Sequence, residues 1–427
     1  MITIKKHPLF FLLIISLITF YTISSYAKSY HQNQESSIKT IKICKTDNEL
    51  SEPIIELGST ESITLTFDDL SDTPPSYSYI LVHCSSNWEE SQISRSDYME
   101  GFEINPINDY QSSFSTTVPY THYKLLIPNN DVTIKISGNY LVRIIDTNNP
   151  DSAVFEQKFM VVEPLLALDA KIKQPLDSER KLISQQIELS VKTNPLSISN
   201  PYTDIVTVVL QNGQIQNSVY AVKPVFIRSN EIIYSSPDNL IFNGVNEFRS
   251  FDINSIHYIS TGIQRIDQFG GECSVLLLPS DNNRNQNYST IADVNGHYKV
   301  NLERSEQSDI EADYVWVYFT LPYYDRLPEK EVYVYGELTD WKLTPQSQMQ
   351  YNYDRGAYEI RIKLKQGYYN YRYVVRDIKT NEIDPTFFEG NHFETENSYL
   401  ILVYYKQIGK QYERLVGIKK LNSKASN

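Results

Sequence analysis

The 427-residue sequence is short of the residues that most enzymes rely on. It has 15 glycines, 4 methionines, 3 tryptophans and 3 cysteines. Sparse glycine, with neither a GxGxxG nor a GxxxxGKS/T run, excludes a phosphate-cradling loop and argues against a nucleotide enzyme. No GxSxG elbow and no HExxH helix occurs, and no residue set supports catalysis. The seven histidines are scattered. His83 and His122 form the only pair near aromatic residues in one expected domain, and a lone histidine beside a strand reads as a hydrogen-bonded structural residue. No CxxC or Cys/His cluster points to zinc. Asp281-Asn282-Asn283-Arg284-Asn285 alternates oxygen ligands, but Gln286 stands where a calcium loop needs glycine and Ala292 where it needs glutamate, so a solvated turn is expected. Neither metal nor cofactor is implied. Basic charge is also short: 39 Lys+Arg against 52 Asp+Glu, a net charge of −13, which excludes a nucleic-acid binder.

Long apolar runs are missing except at the start. Lys5, Lys6 and His7 precede an apolar stretch from Leu9 to Ile23, and Ser25-Tyr26-Ala27 follows with small-x-small spacing. About 15 apolar residues are too few to span a bilayer as a helix. Residues 1–27 therefore read as a secretory signal peptide cut after Ala27. No cysteine stands directly after the cut, so no lipid anchor is expected. Cys44, Cys84 and Cys273 form no disulfide framework. Cys44 and Cys84 share an expected domain and could pair in an oxidising compartment, a question their spacing leaves open.

What is abundant is tyrosine (33) and phenylalanine (17), both strand formers. Period-2 alternation dominates: Ser62 to Phe67, Thr133 to Ile136 and Glu359 to Leu364 alternate, and Val332-Tyr333-Val334-Tyr335 is a continuous strand-forming run. About twenty such runs, separated by turn residues, predict an all-β chain of antiparallel sandwiches. Helical periodicity is nearly absent, with one short turn expected in 87–98 and one in 177–184. Three consecutive immunoglobulin-like sandwiches are expected, over 28–163, 164–308 and 309–427. In the first, Ser137-Gly138-Asn139 is expected to join strands 132–137 and 140–146 as a tight hairpin. A long aromatic-rich stretch, Ser85 to Tyr120, has no evident strand pattern and needs its own packing or a role.

Two stretches are more specific than a β pattern. One runs through His83-Cys84-Ser85-Ser86-Asn87-Trp88, Tyr98-Met99-Glu100-Gly101-Phe102 and Ser113 to Tyr123, ending at Ser137-Gly138-Asn139-Tyr140. The other runs from Lys365-Gln366-Gly367-Tyr368-Tyr369-Asn370-Tyr371 through Glu389-Gly390-Asn391-His392 to Val403-Tyr404-Tyr405. Both resemble the type IX secretion system plug protein family. They lie at opposite ends of the chain in family order, so the resemblance covers essentially the whole mature protein. Ser85-Ser86 departs from the more acidic pair expected there.

The resemblance implies a non-enzymatic periplasmic protein. It would sit at the inner face of the outer membrane and block the pore of a very large translocon barrel (SprA/Sov-type) as a monomer in a one-to-one complex. A reversible plug needs stiff aromatic anchors inside a polar rim. Trp88, Tyr98, Phe102, Tyr110 and Tyr120 are the candidate partner-binding residues. The competing expectation is that they fill the first core. Separately, Gly336-Glu337-Leu338-Thr339-Asp340-Trp341 resembles the start of starch- and glycogen-binding sandwiches. That makes Trp341, with Tyr351, Tyr353, Tyr368 and Tyr371, a candidate sugar platform, and a secreted or surface glycan-binding protein is the alternative function. The competing expectation is that Trp341 caps the last core.

Overall fold

Alternation along Ile63–Asp69 shows how the chain packs. Ile63, Leu65 and Phe67 turn to one side and are fully buried, as a half-buried strand requires. Asp68, on the opposite side, is just as buried, because a second layer of protein covers that face. The computed structural model describes residues 36–236 and 238–424, so the expected signal peptide lies outside the described residues. The chain from Ile38 onward packs as one unit and is all-β, built from antiparallel sandwiches as expected.

The first sandwich faces two sheets across a core of Phe67, Tyr79, Tyr140 and Phe159. One sheet runs Ile38–Lys45, Ile63–Asp69, Thr121–Ile127, Asp109–Ser112; the other centres on Gly138–Asp146, paired with Tyr77–Cys84 and Asn149–Val162. The expected 132–146 hairpin does not form. Val132–Ile134 pairs with Met99–Gly101, and Gly138–Asp146 pairs elsewhere, so Ser137-Gly138 is a corner between two sheets. Two pairings are parallel, Met160–Val162 with Ile54–Glu56 and Ser274–Leu276 with Trp316–Tyr318. Only single helical turns occur among the described residues, one of them Arg95–Tyr98 within the expected 87–98 segment; residues 177–184 form hydrogen-bonded turns.

Beyond the first sandwich the strands leave chain order. Ser184–Lys192 and its neighbours face a sheet made of Ile205–Gln211, Ser398–Tyr405 and Arg414–Asn422. The third core draws on strands from Arg249–Asp252 to Gly367–Asp377 and includes Phe251, Val275, Val317 and Tyr373. The third sandwich is thus nested inside the second. The expected boundary at 308/309 does not follow these pairings: Glu272–Leu277 belongs to the third core, and the last two strands belong to the second. Local alternation marks a strand but does not choose its partner.

Ser398–Tyr405 shows the packing consequence. Tyr399, Ile401 and Val403 turn into the second core. Leu400, Leu402 and Tyr404 turn the other way, onto Ile54, Met160 and Val162 of the first sandwich. A strand buried on both faces reads as a continuous apolar run, and it locks two sandwiches together.

Candidate functional site

The five aromatics of the Ser85–Tyr120 stretch divide by environment. Tyr98 closes the turn Arg95–Tyr98 and is buried, its hydroxyl donating to the Leu81 carbonyl at 3.1 Å. Tyr120 is buried too and belongs to a joint between sandwiches: its hydroxyl donates to the Ala312 carbonyl at 2.8 Å, and the Lys365 ammonium lies 4.2 Å over its ring. For Tyr98 the expectation that it fills the first core describes the packing; Tyr120 is buried in the joint instead. Phe102 and Tyr110 are 77% and 59% exposed, and Phe114, which the sequence reading did not single out, is 65% exposed. Trp88 is half-buried on a turn closed by its N–H to the Ser85 carbonyl.

The joint behind Tyr120 is ionic. The Asp68 carboxylate is 2.6 Å from Lys365 Nζ, 2.6 Å from the Tyr314 hydroxyl and 2.6 Å from His122 Nδ1. All four residues are buried. Burial pulls the Lys365 ammonium below the ordinary lysine value, and Asp68 opposes that pull. Nearby, the Asp313 carboxylate accepts the backbone N–H groups of Thr117 and Val118 at 2.7 and 3.0 Å. A buried charge with a full set of partners is costly to break, so this contact ties the first sandwich to the third in one orientation.

Trp341 is not an open platform. Its ring meets Tyr335, His297 and Phe248 edge-on at centroid distances of 5.5, 6.0 and 6.2 Å. The ring fits because residue 296 is glycine: a Cβ there would lie 2.4 Å from the indole. Tyr371 is buried and Tyr368 half-buried. Tyr351 and Tyr353 line separate clefts with Arg326 and Tyr324, away from Trp341. The expected five-residue platform is therefore not assembled.

Trp341 and Trp88 instead border a cavity system at the meeting of all three sandwiches. The larger cavity, about 400 Å³, is lined by Ile41 and Leu141 of the first, Leu210 and Leu400 of the second, and His297 and Trp341 of the third. Glu337 on the same lining sits 3.3 Å from His297 and 3.8 Å from Lys42. Burial works against its ionisation, yet these two cations hold its carboxyl below the usual range. The sequence marked Trp88 and Trp341 for other roles and gave no sign that they border one cavity system, because the lining residues come from distant segments that only the tertiary fold joins.

Nothing among the described residues groups three His, Cys, Asp or Glu as a metal site. His83 is buried, with Nδ1 2.9 Å from Ser91 Oγ and Nε2 3.3 Å from the Ser137 carbonyl. The three cysteines are free. Burial pushes the Cys44 thiol up to about 11 and Cys84 up to about 12, which leaves little thiolate for chemistry. No helix among the described residues is long and apolar enough to cross a membrane.

The family model "Type 9 secretion system plug protein 1st domain" matches residues 38–163, the span of the first sandwich. A solved crystal structure, of a hypothetical protein from Parabacteroides merdae ATCC 43184, is similar to this chain at 34% sequence identity and a TM-score of 0.88, covering 90% of this chain and 97% of that one. No curated protein matches the chain.

Proposed function

The chain belongs to the type IX secretion system plug protein family and so has a role in type IX secretion; from that premise we propose that it is a non-enzymatic periplasmic plug. It binds the periplasmic mouth of the large outer-membrane translocon barrel, one copy per pore, and seals the pore while no cargo-receiving partner is bound. The observation that carries this reading is the family match over the whole first sandwich. Two physical features support it. A plug must be too stiff to be drawn through a wide pore, and here three cores are joined through two-faced strands and a buried ionic joint. It must also release, which favours a modest set of exposed aromatic anchors over a large apolar face; Phe102 and Tyr110, joined by Phe114, have the required exposure.

Affinity purification of the barrel should recover this chain, and deleting it should admit dyes and large antibiotics that the outer membrane normally excludes. An intact permeability barrier in the deletion strain, with no co-purification, would reject the reading. Replacing Phe102 and Tyr110 by serine should weaken recovery on the barrel by about tenfold or more, with the thermal transition unchanged. The glycan-binding alternative loses the Trp341 platform on which it was founded.

A further inference from the structure

The cavity between the sandwiches adjoins a second cleft. That cleft, about 290 Å³, is walled by Trp88 and Tyr404 and shares Lys158, Met160, Leu210, Ile215 and Gln216 with the larger one. These shared residues make the two adjoin, and each is bordered by one tryptophan, Trp341 on the larger and Trp88 on the smaller. Both tryptophans hold positive φ, 69° for Trp88 and 54° for Trp341, a conformation that bulky side chains rarely adopt and that clusters at functional sites. They are two of the three tryptophans in the chain.

The charges on the lining fall into two groups. Glu156 pairs with Arg143, Asp340 with Lys342, and Glu337 with His297 and Lys42. Glu52 and Lys158 line the same cavity with no opposite charge at ion-pair distance among the described residues. The Lys158 ammonium lies 4.8 Å over the Trp88 ring, and burial lowers its pKa from the ordinary lysine value. Between and around these charges the floor is apolar, formed by Met160, Leu210 and Leu400. Volumes of this size suit a short segment or small molecule. One unpaired cation and one unpaired anion over an apolar floor ask for an occupant with both charges and an apolar stretch between them.

We propose that this groove binds an extended peptide segment of the partner polypeptide, with an acidic side chain on Lys158, a basic one on Glu52, and apolar residues on the Met160–Leu210–Leu400 floor. The assignment of the segment to the translocon rests on the plug reading; the chemistry of the groove does not.

The test uses the full mature chain carrying Trp316→Phe. Trp316 lies beneath Arg361 and Lys363 on another strand, so removing it leaves the two groove tryptophans as the only indole reporters. The probes are capped peptides with one lysine and one glutamate separated by one to four leucines. At least one spacing should give a saturable fluorescence change. Changing the peptide glutamate to glutamine should weaken binding about tenfold, the worth of a charged hydrogen bond, and should have no further effect on the Lys158→Gln protein. The peptide lysine and Glu52→Gln should behave as the matching pair. Far-UV dichroism and melting confirm that each variant is folded.

No saturable response from any peptide at about 1 mM, equal affinity for uncharged peptides, or a response to laurate alone would overturn the proposal. Peptide binding without co-purification of the barrel would leave the groove standing and remove the plug reading. Unchanged co-purification of the Glu52→Gln, Lys158→Gln double variant, with no peptide bound by the parent, would do the reverse.

Discussion

His83 shows how the surroundings of one residue set its titration. Its ring is buried between Ser91 and the Ser137 carbonyl, and burial lowers its pKa to about 4 from 6.5. The folded state therefore favours the neutral ring, and that contribution to stability is full above pH 6.5 and is lost as pH falls toward 4. Urea unfolding should show a loss of roughly 2 kcal/mol between pH 7 and pH 5 attributable to this ring, and His83→Gln should flatten that part of the profile. Asp68 is a buried carboxylate in contact with Lys365, Tyr314 and His122. Asp68→Asn leaves the Lys365 ammonium buried without a counter-charge and should cost about 3–5 kcal/mol, read as a lowered melting temperature. The sequence alone placed His83 correctly as a hydrogen-bonded structural residue. It did not single out Asp68, since an aspartate at a strand end ordinarily reads as solvated and only the neighbouring sandwich buries this one.

Among elements, strand positions were largely legible and strand partners were not. Ile63–Asp69 lies where the alternation of Ser62 to Phe67 puts a strand, and Ala357–Lys365 holds the alternating run Glu359 to Leu364. The expected hairpin at Ser137-Gly138-Asn139 failed because small and polar residues suit a corner as well as a turn. Gly138 has φ +146°, and a Cβ there would come within 2.4 Å of His83 Nε2. Gly138→Ala should destabilise the chain by about 2 kcal/mol or more, seen as a lower urea midpoint with an unchanged slope. The same substitution in a true two-residue hairpin loop would meet open solvent. Of the aromatic stretch, the type of residue was readable, but its division was not: Tyr98 is buried by the first core, Tyr120 by Ala312 and Lys365, Trp88 is half-covered with Lys158 over its ring, and Phe102 and Tyr110 stay exposed.

For the whole molecule, the nesting of the third sandwich in the second has a direct consequence. A fragment of residues 309–427 carries Ser398–Tyr405 and Arg414–Asn422 without the sheet they face, and lacks Phe251 and Val275 of its own core. It should be unfolded or aggregated, with rapid proteolysis throughout. A fragment of residues 248–390 holds a complete core and should give a protease-resistant, cooperatively melting domain. Deleting residues 398–427 from the full chain should expose the second sandwich to cleavage while leaving 248–390 resistant. Equal resistance of 309–427 and 248–390 would contradict the strand pairing.

Composition and alternation by themselves determined that this chain is all-β and acidic, and that it lacks the motifs of the common catalytic and metal-binding sites, because period-2 burial and side-chain inventory are local properties that need no partner. The family resemblance was equally legible, and the family model matches it over residues 38–163. Which strands share a sheet, which aromatics face water, and the placing of Lys158 on both the Trp88 cleft and the Trp341 cavity were decided only by the tertiary structure. Those outcomes depend on contacts between residues hundreds of positions apart, and no local pattern encodes which distant surface will cover a given face.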